Sequence, residues 1–111
     1  MKTKINRKRK KILENELKRI TGIVKKEYRP EKVILFGSFS KDEVTETSDI
    51  DLLILKKGGE RYLDRVDEFL NLVQPKVAMD VFILQPKEIR QKNPYLAEIF
   101  EEGKVIYETS K

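Results

Sequence analysis

An α/β fold, with helices covering a small β-sheet, is predicted by three observations on this 111-residue sequence. Apolar residues recur at helical spacing in long segments, short β-branched runs bounded by Pro or Gly fall between them, and the two kinds alternate along the chain. Ile12 or Leu13, then Leu17, Ile20 and Val24 step by threes and fours, which predicts an amphipathic helix over about 9–28. Gly22 weakens that helix by about 1 kcal/mol relative to Ala, and Arg29-Pro30 ends it. Residues 32–36 (KVILF), between Pro30 and Gly37, read as a buried strand. The polar stretch 38–48 predicts a loop with a short helical turn. Residues 49–56 (DIDLLILK) read as a central strand that stops at Gly58-Gly59. Over 61–73, Leu63, Val66, Phe69 or Leu70, and Val73 lie at helical spacing. Residues 77–84 (VAMDVFIL) form a third strand run, 86–90 a short helix start, and 94–102 a further helix closed by Gly103. Residues 104–107 add an edge strand.

The length is that of one domain, so 1–111 is read as a single domain burying roughly 60% or slightly more of its unfolded surface. There is no Cys and no His. Disulfides, thiol nucleophiles, the Ser-His-Asp triad and imidazole or Cys-based zinc sites are thereby excluded. Catalysis must run on carboxylates, hydroxyls, Lys/Arg or a bound metal. No apolar run approaches the roughly 20 residues of a membrane span, and the basic N-terminus precedes no signal-peptide stretch. The expectation is a cytoplasmic protein with no membrane partner.

The net charge of +5 is unevenly placed. Lys2, Lys4, Arg7, Lys8, Arg9, Lys10 and Lys11 are seven of the 24 basic residues, which leaves 17 basic against 19 acidic elsewhere. Such a segment, 1–11, reads either as a solvated tail or helix start, or as a grip on phosphate backbone or an acidic partner. Nucleic-acid binding stays open, although no aromatic residues interleave the charges to stack bases.

Two aspartates in an otherwise apolar strand need an explanation. Residues i and i+2 of a strand share a face, so Asp49 and Asp51 project together while Ile50 and Leu52 point away. If the run carrying Asp80 pairs alongside, about 4.8 Å away, three carboxylates meet. Like charges on an apolar sheet resist ionisation, and a divalent cation with its need for oxygen ligands resolves the conflict. Each feature alone has a bland account: Ser48-Asp49 as a turn, Asp80 as an edge-strand charge, Gly37-Ser38 as a strand-ending turn. Their order is far more specific than any one of them.

That order is strand, Gly37-Ser38, ten residues, Asp49-Ile50-Asp51, helix, then Asp80 in a strand. It resembles the minimal nucleotidyltransferases of the DNA polymerase β-like superfamily, as do the Asn93-Pro94 helix and the ending Glu102-Gly103-Lys104-Val105-Ile106-Tyr107. The resemblance implies the polymerase β-like fold, a small mixed sheet with helices packed against it, and transfer of a nucleotide from an NTP, ATP foremost. It implies that Gly37 and Ser38 bind the triphosphate, that Asp49 and Asp51 hold the metal on the triphosphate, and that Asp51 and Asp80 hold a second near the acceptor hydroxyl. The ions that the resemblance implies are Mg²⁺, with Mn²⁺ as substitute. Family members often follow Gly-Ser with an Arg-rich, Gly-containing segment, whereas this chain has Phe39-Ser40-Lys41-Asp42; Lys41 supplies a point charge in place of an arginine fork.

A catalytic domain of this size needs its acceptor held by a partner or across a homodimer or hetero-oligomer interface. The resemblance implies a HEPN-domain companion, with this chain as antitoxin of a toxin–antitoxin pair. A non-catalytic module that keeps the fold and neutralises its partner by contact is the alternative.

Overall fold

The structure, a computed structural model, describes residues 5–58, 61–89 and 93–109. Residues 1–4 of the basic N-terminal segment, Gly59 of the Gly58-Gly59 turn and Arg90 at the expected end of the Pro86 helix lie outside them.

Among the described residues, four strands form one mixed sheet. The β-branched run Lys32–Phe36 is β1, antiparallel to β2 (Ile50–Leu55) on one side and to β4 (Lys104–Glu108) on the other. β3 (Met79–Leu84) lies parallel to β2, so the order is β3-β2-β1-β4. β1 and β2 are covered on both faces, which is why their sequences are nearly unbroken apolar runs. Parallel pairing of β2 with β3 requires a crossover, supplied by α3 (Tyr62–Val73). The other helices are α1 (Arg7–Ile23), α2 (Gly37–Ser40), α4 (Pro86–Ile89) and α5 (Pro94–Glu102).

Alternation along the strands divides the core in two. Val33, Leu35, Ile50, Leu52 and Ile54 pack with Leu13 and Ile20 of α1 and Phe69 and Val73 of α3. Ile34, Phe36 and Leu53 pack on the opposite face with Ile99 of α5. Asp51, two residues from Leu53, therefore faces α5.

Several expectations are corrected in detail. The first helix starts at Arg7, where Asn6 Oδ1 accepts from Arg9 N at 2.8 Å, and its last turn, Val24–Tyr28, winds as a π-helix closed by Arg29 in the left-handed region (φ 50°). Ile12 is 45% exposed, and Leu13 takes the core position. The same stripe buries Glu16, whose carboxylate accepts from Arg19 Nε at 2.8 Å, Arg19 Nη2 at 2.9 Å and Lys76 N at 2.5 Å. In α3 Leu63 is 72% exposed, and the inward position belongs to Arg65, which donates to Ile83 O at 3.2 Å and to Glu88 Oε1 at 2.9 Å. β3 starts at Met79 rather than at residue 77, and Asp49 immediately precedes β2 instead of lying within it. No helix among the described residues is long and apolar enough to cross a membrane.

Candidate active site

The strand register decides which carboxylates meet. Asp51 stands opposite Phe36 on one neighbour and opposite Asp80 on the other. Both aspartates thus share the α5 face at adjacent positions of a parallel pair. Burial, the charges of Asp80 and Asp49, and a hydrogen bond with Asp80 together push the Asp51 carboxyl up to about 6. Asp80 itself is exposed and Asp49 half-buried.

Asp49, just ahead of the strand, reaches Asp51 through its charge. No three carboxylates among the described residues close into a ready metal-holding group. The site is a coupled pair, Asp51 with Asp80, and a third charge beside it. An all-oxygen, anionic and partly desolvated donor set of this kind suits a hard divalent cation, whose charge removes the repulsion that raises Asp51. The residues present fit a hard divalent cation in the chemistry of their donors.

Gly37 is at the mouth of this pair. Its φ of 80° is open to glycine at little cost, and a Cβ there would overlap Asp51 Oδ2 and lie 3.0 Å from Asp51 Cγ. The Gly-Ser turn and the carboxylate are in contact, so the two halves of the sequence motif form one site. α2 follows directly, and helix geometry leaves its first amides without intrahelical acceptors. Ser38 Oγ donates to Ser48 Oγ at 2.9 Å, and Ser48 Oγ also accepts from Thr45 N at 2.8 Å. Buried Ser48 is further tied by its carbonyl, which accepts from Arg9 Nε at 3.0 Å. This latch holds the Gly37-Ser38 turn against the approach to Asp49. Lys41, exposed at the end of α2, has its Nζ 4.0 Å from Glu102 Oε2 and borders a small cavity of about 140 Å³ beside Gly37.

Asp51 and Asp80 open onto a cavity of about 410 Å³ walled by Phe36, Phe82 and Tyr95. A larger cavity, about 710 Å³, lies on the other face between α1 and β4 and contains none of the three aspartates. Volume does not mark the site; the carboxylates do. The sequence pattern points to Asp49, Asp51, Asp80, Gly37, Ser38 and Lys41, whereas Ser48 reads there as a simple turn and Phe36, Phe82 and Tyr95 do not stand out. Ser48, ten residues from Ser38, carries no periodic signal, and the rings meet only through the sheet and α5.

The family model described as "Polymerase beta, Nucleotidyltransferase" matches residues 18–111. The chain belongs to this nucleotidyltransferase family. Two relatives of this nucleotidyltransferase from Methanocaldococcus jannaschii are named "Putative protein adenylyltransferase MJ0604" and "Putative protein adenylyltransferase MJ1379". The first is 31% identical over 100 residues, covering 85% of this chain and 97% of the relative; the second is 31% identical over 94 residues, covering 82% and 89%. A crystal structure titled as a "putative nucleotidyltransferase" from Sulfolobus solfataricus superposes with a TM-score of 0.60 at 20% identity, covering 89% of this chain and 83% of the other. At that identity the superposition shows a shared fold. The mixed sheet with helices on both faces is the polymerase β-like arrangement that the motif order implied.

Proposed function

We propose that this nucleotidyltransferase moves an adenylyl group from ATP to a hydroxyl of a partner protein, with two divalent ions, Mg²⁺ foremost, bound by Asp49, Asp51 and Asp80. The observation that carries the reading is the Asp51–Asp80 register with Gly37 against the Asp51 carboxylate. Asp49 and Asp51 would hold the ion on the triphosphate, and Asp51 and Asp80 the other. Bound, such ions supply charge neutralisation at the phosphates and lower the pKa of the acceptor hydroxyl.

The chain's own residues do the rest. Gly37 lets backbone approach the triphosphate, and Ser38, fixed by its bond to Ser48, offers its amide to phosphate oxygens. Lys41 adds a positive charge at the edge of the small cavity beside Gly37. The acceptor oxygen forms a bond to the α-phosphorus as the bond to the bridging oxygen of pyrophosphate breaks. Asp80, exposed beside Asp51, receives the acceptor proton. The adenylyl specificity is supported by the names of the relatives, and a HEPN-domain companion in an antitoxin role by the resemblance.

Incubation with a companion protein, Mg²⁺ and ATP labelled at the α- or the γ-phosphate tests this. Label should pass to protein from the α position only, and not with Asp80→Asn. Binding of the companion without transfer from any NTP, under Mg²⁺ or Mn²⁺, would replace catalysis with neutralisation by contact.

A further inference from the structure

The 410 Å³ cavity has two unlike walls. One is Gly37 with Asp51 and Asp80; the other is aromatic. The Phe36 and Phe82 rings lie nearly parallel, 25° apart with centroids 6.2 Å distant. Tyr95 stands almost perpendicular to both, at 88° and 6.3 Å from Phe36 and at 77° and 6.2 Å from Phe82. Edge-to-face contacts hold the ring upright. Its backbone is fixed as well, since Asn93 Oδ1 accepts from Tyr95 N at 3.0 Å at the start of α5, and Ile99 anchors that helix in the core. Even so, Tyr95 is 52% exposed. A rigidly held ring with much of its surface open, beside the carboxylates, is a surface for a flat ligand.

We infer that Tyr95 is the base platform of the nucleotide site, stacking on the heterocycle of the bound NTP. This rests on the proposed function. If the α-phosphate lies at Asp51, the nucleoside joined to it must occupy adjoining space, and the polar wall is already taken by the phosphates. The aromatic wall remains for the base. Stacking tolerates any base because each has a π-face. Tyr95 also borders the small cavity that Lys41 lines, so it touches both cavities that adjoin Gly37. It acts on affinity and not on the bond-breaking step.

The test uses the full chain with Mg²⁺ and two probes, ATP and inorganic tripolyphosphate, titrated by calorimetry into wild type, Tyr95→Ala, Tyr95→Leu and Tyr95→Phe. Tyr95→Ala is expected to weaken ATP roughly 5- to 150-fold, while Tyr95→Phe holds within about twofold and tripolyphosphate stays within about twofold in every variant. Unchanged tripolyphosphate binding also shows that the variants fold; Tyr95→Leu, which keeps bulk without a π-face, should follow Ala. Unchanged ATP affinity in Tyr95→Ala, or equal loss for both probes, overturns the inference and leaves the carboxylate site standing. Lost transfer to a protein acceptor with ATP binding intact would make Tyr95 an acceptor-docking residue and overturn it likewise. Wild type that binds neither probe sinks the proposed function, and this inference with it.

Discussion

Asp51 is where stability and chemistry pull apart. Its carboxyl, pushed up to about 6, binds a proton more tightly in the folded chain than in the unfolded one, whose value is near 3.8. Stability from this group is therefore full below about pH 4 and falls as pH rises through 6. At neutral pH without metal the strained charge costs on the order of 1 kcal/mol once solvent screening of this partly exposed group is discounted. Asp51→Asn should leave metal-free stability at pH 7 unchanged or slightly raised and flatten the decline between about pH 4 and 6, read from urea unfolding with chelator present. Transfer should fall at least about a thousandfold, or roughly 4 kcal/mol of transition-state stabilisation. A loss of about 1 to 3 kcal/mol in the metal-free mutant would mark a structural aspartate and end the metal-site reading. Gly37 is coupled to the same carboxylate. From sequence, a side chain there would chiefly obstruct phosphate; the structure adds that it displaces Asp51. Gly37→Ala is thus expected to weaken Mn²⁺ binding as well as nucleotide binding, and to cost about 1 to 2 kcal/mol from its positive φ alone. Calorimetry with Mn²⁺ alone that shows no loss would refute the contact.

At the scale of elements, the helices were legible because their apolar residues repeat a period and the strands because they are short apolar runs bounded by Pro or Gly, whereas the polar residues that join them were not. The apolar stripe of α1 was readable, yet Glu16 on that stripe resembles any charge on a solvated face until Arg19 and Lys76 come into reach. Arg65 was hidden in the same way by Leu63, the apolar residue of the first turn. The closing glycine of α5 was placed correctly for an incomplete reason. Gly103 is extended (φ −72°), and glycine is needed because a Cβ would overlap Ile34 Cγ2 and lie 2.5 Å from Ile99 O. The carboxylate site was legible in residue type, and its convergence hung on a register that one sequence does not reveal. Glu16 ties α1 to the turn before β3 and has its pKa lowered by the Arg19 bond, so its contribution is present above the ordinary carboxylate range and lost on acidification, opposite in sign to Asp51. Glu16→Ala should cost about 2 kcal/mol in chemical denaturation at pH 7, leaving the Lys76 amide without its acceptor. A change under about 0.5 kcal/mol would show the network to be ornamental.

For the whole molecule, a ligand that binds only the folded chain should raise its melting temperature. Mg²⁺ with ATP at about 100 times its dissociation constant adds about 2.7 kcal/mol, on the order of 10 °C for a chain of this size. Asp51→Asn should abolish that shift. No shift in wild type with any NTP and either metal at millimolar concentration would favour a non-catalytic module. The parallel pairing of β2 with β3 has a kinetic meaning too. β1 and β2 join as neighbours in the chain, but Asp80 reaches Asp51 only after the α3 crossover has closed, and contacts of long sequence separation are the slow ones to form. A half-folded chain holding only the β1–β2 pair carries Gly37, Asp49 and Asp51 without Asp80. On the proposed reading, competence therefore waits for the crossover, and molecules in which it has not closed should be silent.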